Sequence, residues 1–320
     1  MQPRSESPAG AEAVPALLGG IDLGGTKIEA RLFGGDCAET LRVRRVPTPR
    51  DFASLLRAVA DQIGWMEAEG GGPGLPVGIA LPGIVDPATG ACQAANIPAA
   101  EEPFAAAVAR VAGRAVTLVN DATAFALSEA RGGAGAGSRV VVGLVLGTGL
   151  GGGVVVDGHP LPGRHGLSVE IGHVGMPARA LERYGLPLLP CGCGRAGCAE
   201  AYLSGTGLAD LAERITGSRL GGEEIGAGHP AAEAVLGVWA DLAGDALSAL
   251  QLLLDPDVIV LGGGMSNLKG LDARLEDALG RHALLRLRPP PVRIAVHGDS
   301  SGARGAALLA GSAPRGAGRC

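Results

Sequence analysis

Leu17-Leu18-Gly19-Gly20-Ile21-Asp22-Leu23-Gly24-Gly25-Thr26-Lys27-Ile28-Glu29-Ala30-Arg31-Leu32-Phe33 reads as an apolar strand, a glycine turn and a second strand. Apolar and polar residues alternate from Lys27 to Phe33, the period of a half-buried antiparallel strand. The pattern restarts downstream: Arg139 to Leu146 is a strand, Gly147 to Gly153 a glycine loop and Val154 to Val156 a strand, with a turn at Asp157-Gly158. Two hairpins tipped with glycine read as a divergent internal duplication, hence two α/β lobes with a cleft between them.

The segments between fit that plan. Phe52, Leu55, Leu56, Val59 and Ile63 share one face of a helix expected over 51–68. Val77 to Leu81 is a short buried strand, and Pro82-Gly83 opens a loop that runs to Asn96-Ile97-Pro98. A helix from Phe104 to Ala112 and a strand from Ala115 to Val119 follow. In the second half, helices are expected over 206–216 and 230–254, the latter stopped by Asp255-Pro256. Val258 to Leu261 is a buried strand entering Gly262-Gly263-Gly264, and the last helix spans 302–310.

The chain has 320 residues, 47% of them apolar, and a net charge of −5 without long charged runs, which argues against a nucleic-acid partner. Lysine occurs only as Lys27 and Lys269, so a lysine beside a glycine loop stands out. The first 16 residues hold no apolar signal-peptide core and read as a short disordered tail, as do 312–320. No run of about 18 uncharged apolar residues appears, so no membrane partner is expected. Of the six cysteines, three cluster at metal-ligand spacing and three are scattered, which suits a reducing, cytoplasmic setting.

Glu170-Ile171-Gly172-His173 precedes Cys191-Gly192-Cys193-Gly194-Arg195-Ala196-Gly197-Cys198-Ala199-Glu200. One imidazole and three thiolates make a closed tetrahedral set, which predicts a structural zinc ion on His173, Cys191, Cys193 and Cys198. Folding such a knot brings Glu170 and Glu200 together. The loop Gly147-x-Gly149-x-x-Gly152 matches a dinucleotide fingerprint nominally, but a strand follows where that fingerprint needs a helix. Backbone N–H groups at a glycine hairpin can still cradle phosphate. Asp22 at a strand end could hold hydrated Mg2+, with Thr26 and Lys27 offering a hydroxyl and a charge. Asp121, directly after a strand, reads two ways: a base for a hydroxyl proton, or the N-cap of a helix over 122–130.

In this order, Asp22–Lys27, Asn120-Asp121-Ala122, Gly147–Gly153, Glu170-x-Gly-His173 and the cysteine run to Glu200 resemble the ROK family of sugar kinases. The likeness covers nearly the whole chain after residue 16. Arg45 to Asp51, Ala94 to Ala100, Asp255-Pro256-Asp257 and His297-Gly298-Asp299 are similar to stretches of the bacterial N-acetyl-D-glucosamine kinases. The resemblance implies a two-lobed, actin-like or hexokinase-type (ribonuclease H-like) ATPase fold. A smaller lobe would span 17–119, completed by the helix over 300–311, and a larger one 120–299 with the zinc.

It also implies roles. ATP phosphates would lie on Gly20, Asp22, Gly24, Gly25, Thr26 and Lys27, and on Gly147, Thr148, Gly149, Gly151, Gly152 and Gly153, with Gly262 and Gly263 nearer adenosine. Asp121 would be the general base for the 6-hydroxyl of N-acetylglucosamine. Asn96, Asn120, Glu170, His173 and Glu200 would hold the sugar, and a homodimer is implied. Thr123 stands where the family usually has Asn, which removes any amide-specific contact. The rivals are a kinase for N-acetylmannosamine, glucose or fructose, and a non-catalytic sugar-sensing regulator. The last needs an N-terminal DNA-binding module, for which about 16 residues are too few.

Overall fold

The computed structural model describes residues 17–312 except Ala95 and Ser168. Of the expected tails at 1–16 and 312–320, all but Ser312 lies outside the described residues, and Ser312 Oγ donates to the Leu308 carbonyl at 2.8 Å. Twelve strands form two five-stranded sheets and one small hairpin. The first sheet uses β1 (Leu17–Leu23), β2 (Lys27–Gly34), β3 (Thr40–Pro47), β4 (Val77–Leu81) and β7 (Thr117–Asn120). Ile84–Val85 (β5) pairs with Cys92–Gln93 (β6). The second sheet uses β8 (Val140–Leu146), β9 (Leu150–Val156), β10 (His159–Pro160), β11 (Val258–Gly262) and β12 (Val292–Ile294). The helices are α1 (Phe52–Met66), α2 (Phe104–Ala112), α3 (Asp121–Ala130), α4 (Ala178–Arg183), α5 (Glu200–Leu203), α6 (Gly205–Thr216), α7 (Gly222–Gly226), α8 (Ala232–Leu254), α9 (Leu271–His282) and α10 (Ser301–Gly311).

The spatial orders are β3-β2-β1-β4-β7 and β10-β9-β8-β11-β12. In each, the first strand is central, an antiparallel meander runs off one side and two parallel strands run off the other. The repeat seen in the two glycine hairpins thus extends over whole sheets. Parallel strands bury both faces, so β4 and β11 are continuous apolar runs without an exposed residue. β2 and β3 instead carry polar residues, and β3, at the sheet edge, is charged: Arg42, Arg44 and Arg45 blunt it against further pairing.

One apolar cluster fills each lobe, and a third joins them, running from Leu18 and Phe33 through Ala303 and Ala307 of α10 to Val141 and Val260. α8 is long and apolar enough to cross a membrane by composition, yet 72% of its apolar window is buried inside the protein, around Trp239. Asp255 takes a left-handed conformation to end it, as the Asp-Pro pair predicts. α10 packs on β1, β4 and α3 at approaches only glycine allows: a Cβ at Gly20 would lie 2.0 Å from the Ala303 carbonyl, and one at Gly305 1.8 Å from that of Ala124.

Candidate active site

Asp22 is the penultimate residue of β1, opposite Glu29 on β2. The turn beyond it is pinned from β3's exit: Thr48 Oγ1 donates to the Gly24 carbonyl at 2.6 Å and Thr48 N to the Thr26 carbonyl at 3.0 Å. Asn96 borders the same turn, its carbonyl 2.7 Å from where a Cβ at Gly25 would be. Lys27 lies 3.5 Å from Glu29 rather than reaching away from the sheet. Glu29 is buried, and that pushes its carboxyl up, but hydrogen bonds from Arg45 at 2.5 Å and Arg31 at 2.6 Å outweigh burial and hold it low. Asp22 has weaker relief, from the charges of Lys27 and Arg31. Burial, then the charges of Asp121 and Glu29, push it up to about 6.

Asp121 opens α3 at the end of β7. The helix cap is Asn120, whose Oδ1 accepts from Thr123 N at 3.1 Å, so the capping alternative for Asp121 falls to its neighbour. Asn120 Nδ2 donates to the Gly83 carbonyl at 3.2 Å, tying the cap to the loop after β4. Asp121 Oδ1 accepts from the adjacent Ala122 N–H at 2.7 Å. Burial raises its pKa, and the charge of Glu170 adds to that. Thr123 is buried beneath the cap with its hydroxyl 3.5 Å from Asn120 Oδ1.

The second glycine turn is shorter than its sequence suggests. β9 begins at Leu150, so only Gly147, Thr148 and Gly149 form the turn. Gly151, Gly152 and Gly153 are strand residues whose missing side chains make room for packing: a Cβ at Gly153 would lie 2.5 Å from the Ala122 carbonyl. Gly20 likewise packs under α10, and a Cβ at Gly262 would meet the Phe125 ring at 2.4 Å. Gly263 is exposed at the end of β11, close to Leu146 and so to the turn. The turn is held from below by Gly205 N, which donates to the Gly147 carbonyl at 2.7 Å.

Glu200, at the start of α5, joins two features distant in sequence. Its Oε2 accepts from Leu150 N at 3.0 Å, and its Oε1 lies 3.9 Å from Cys191 Sγ. Glu170 sits nearby; burial raises its pKa, the His173 ring lowers it and the charge of Glu200 raises it. Glycine thus touches carboxylate and carboxylate touches thiol in one line from turn to cysteine cluster.

That cluster forms because the chain crosses itself. Val174 to Met176 pairs with Gly197 to Ala199, with Met176 N donating to Gly197 O and Ala199 N to Val174 O, both at 2.8 Å. The crossing sets His173 against the Cys191–Cys198 loop. Donor atoms of His173, Cys191, Cys193 and Cys198 lie within 4.8 Å of one another. Two edges are 3.6 Å, Cys191 Sγ to His173 Nδ1 and Cys193 Sγ to Cys198 Sγ. A tetrahedral zinc with three thiolates and one imidazole has edges of about 3.5–3.8 Å, so the donor set fits that ion.

The sequence identified Asp22, Asp121, Glu170 and Glu200 but not the residues that aim them: Thr48, Gly83, Leu150 and Gly205. Of these, Thr48 lay in a quoted run, Val46-Pro47-Thr48-Pro49, though no pattern linked it to a turn more than twenty residues earlier. The others act through backbone groups, which carry no residue-type signal.

Comparison with known proteins agrees with this architecture. The ROK family description matches residues 18–313. N-acetyl-D-glucosamine kinase of Escherichia coli (strain K12 / DH10B) is 41% identical over 299 residues, covering 91% of this chain and 98% of that enzyme. The ROK hexokinase from Thermus thermophilus superposes with a TM-score of 0.80 at 35% identity, over 91% of this chain and 97% of that one. The ROK family glucokinase from Streptomyces griseus, solved with glucose and AMPPNP, gives 0.74 at 31% identity, over 92% and 98%. With the two-lobed fold and the ordered motifs, these likenesses show that the chain belongs to the ROK family.

Proposed function

We propose that this protein is an ATP-dependent sugar kinase that phosphorylates N-acetyl-D-glucosamine on its 6-hydroxyl, giving N-acetylglucosamine 6-phosphate and ADP. The observation that carries the reading is the line of four carboxylates: Asp22 feels Asp121, Asp121 feels Glu170, and Glu170 feels Glu200. One end of that line is a glycine turn and the other the cysteine cluster. The relatives supply the sugar, since enzymes 41% identical over nearly their whole length are named for it.

In this reading the 6-hydroxyl oxygen attacks the γ-phosphorus, an O–P bond forms as the bond to the β-phosphate oxygen breaks, and Asp121 takes the hydroxyl proton. Its raised pKa suits a base that must hold a proton during transfer. Asn120, Glu170, His173 and Glu200, with Asn96 at the rim, orient the sugar hydroxyls. N–H groups of the turns at Gly24-Gly25-Thr26 and Gly147-Thr148-Gly149 hold phosphates, and Gly263 lies toward adenosine. Asp22 would hold magnesium, which with ATP would supply charge neutralisation at the phosphoryl oxygens. His173, Cys191, Cys193 and Cys198 would hold zinc in a structural role, because four protein donors leave no open position. With Nδ1 facing the thiols, the His173 ring keeps Nε2 for the sugar.

The lobes are read as 17–119 with 300–311 and as 120–299; the packing of α10 on β1 and β4 supports that division. A homodimer rests on the family resemblance alone, and a cytoplasmic setting on the reduced thiols of the cluster. The test is ADP release with MgATP and N-acetylglucosamine, N-acetylmannosamine, glucose or fructose, compared as kcat/KM on zinc-replete protein. Preference for N-acetylglucosamine is expected. Preference for another sugar keeps the mechanism and replaces the substrate. No turnover with any of the four, despite bound sugar, moves the protein to the sensor reading.

A further inference from the structure

Glu129 lies two turns beyond Asp121 on α3 and is fully buried, yet it has no cation among the ion pairs of the described residues. Its four contacts are neutral donors. Oε1 accepts from His297 N at 3.0 Å and Ser301 Oγ at 3.1 Å; Oε2 accepts from Val296 N at 3.0 Å and Ala134 N at 2.9 Å. Three of the four come from the segment that leads into α10, so the carboxylate ties down the approach to that helix. The arrangement is returned from the other side. Arg304, on α10 and also buried, donates to the carbonyls of Ser128 and Arg131 at the end of α3, each at 2.6 Å, and to Cys37 O at 2.8 Å. An anion at the start of α10 and a cation at the end of α3 lock the two helices together.

This joint is linked to both carboxylates the reaction needs. Asp121 is the first residue of α3. α10 lies directly on β1, where a Cβ at Gly302 would stand 3.1 Å from Asp22 Cγ. The sheet sets the coarse spacing, since Asp22 pairs with Ala80 and Ala80 with Val119. The contact of α3 with α10 braces both ends of that span from one side.

We infer that Glu129 is a positioning residue for phosphoryl transfer: by holding the entry of α10 onto α3, it sets Asp22 against Asp121 without touching either substrate. The inference rests on the kinase reading above. The site favours a carboxylate because three backbone N–H groups, which cannot accept, converge on it beside the Ser301 hydroxyl. A glutamine would turn an N–H2 group of its own toward at least one of those N–H groups.

The experiment compares wild type, Glu129→Gln, Ser301→Ala and Leu308→Ala, the last a core truncation on α10 outside the joint. Turnover with MgATP and N-acetylglucosamine, sugar affinity by calorimetry and thermal stability are read for each. Glu129→Gln should lose about 30-fold or more in kcat while sugar affinity stays within about twofold, since small misplacements of reacting groups carry penalties of that order. Ser301→Ala, which loses one of the four bonds, should lose about three- to tenfold in the same manner. Leu308→Ala should lose stability and keep its kcat. A folded Glu129→Gln protein with wild-type kcat, or one whose sugar affinity falls with its turnover, overturns the inference alone. If Glu129→Gln does not fold, Ser301→Ala decides in the same terms: reduced kcat at unchanged sugar affinity upholds it, wild-type kcat overturns it. A wild-type chain that phosphorylates none of the sugars overturns the kinase reading and this inference with it.

Discussion

Asp121 and Asp22 are both carboxylates pushed upward by burial, but they are asked for different things. Asp121→Asn keeps the shape of the site and the bond from Ala122 while removing the proton acceptor. It should lower kcat by about 100- to 10,000-fold with sugar affinity retained, and calorimetry beside an ADP-release assay reads both. A variant keeping most of its turnover would remove Asp121 as the base. Asp22 makes a prediction about pH. Its folded pKa of about 6 is above the unfolded value, so the folded state holds the proton more tightly. Stability from this group is full below about pH 4 and is lost as pH rises through about 6. Without magnesium, Asp22→Asn should therefore be more stable than wild type at pH 8, by at most about 3 kcal/mol, and lose that advantage at pH 4. Urea unfolding at the two pH values tests it; an advantage equal at both would exclude the ionised Asp22 as its source. The same carboxylate must be charged to hold magnesium, so turnover should fall below pH 6.

Among the elements, the crossing at 174–176 and 197–199 bears most directly on function, since it carries His173, Cys198 and Glu200. Cys193→Ser should release zinc, measured by atomic absorption, and lower both thermal stability and sugar affinity, because metal binding and local folding are one equilibrium. Full zinc stoichiometry in that variant would contradict the ligand set. How far each element could be read from sequence follows its physics. Buried strands such as β4 and β11 announce themselves as apolar runs, and α2 runs from Phe104 to Ala112 as its pattern predicts. β3 is hard to read: Leu41 and Val43 alternate with Arg42 and Arg44, but Arg44-Arg45 breaks the period after five residues, and pairing with β2 makes the rest a strand. α9 lacks a side-chain cap and begins after Gly270, so its Leu271, Leu275, Ala278 and Leu279 face had no start signal. The glycines after Gly149 looked like loop and proved to be strand. Their composition reports the closeness of α3 at Gly151 and Gly153 and of Val169 at Gly152, tertiary facts invisible in a local window. In the site, side chains that do chemistry were readable by type and spacing, whereas the backbone groups that orient them were not.

For the molecule as a whole, two sheets of one topology repeat one plan, and the sugar is read as binding where both halves contribute. Sugar at 100 times its Kd should raise the free energy of unfolding by about 2.7 kcal/mol if the folded chain alone binds it. Sugar with a non-hydrolysable nucleotide should also reduce the radius of gyration in X-ray scattering as the lobes close. An unchanged radius with both ligands bound would remove closure from the mechanism. The position of α10 has a consequence for biosynthesis. Among the described elements β1 is the first to leave the ribosome and the helix that covers its Gly20 is the last. Until α10 is made, the first sheet waits with one glycine-lined face open, so the lobe that is begun first is finished last. A chain cut short before residue 301 leaves only an unsealed sheet for the cell's chaperones to hold.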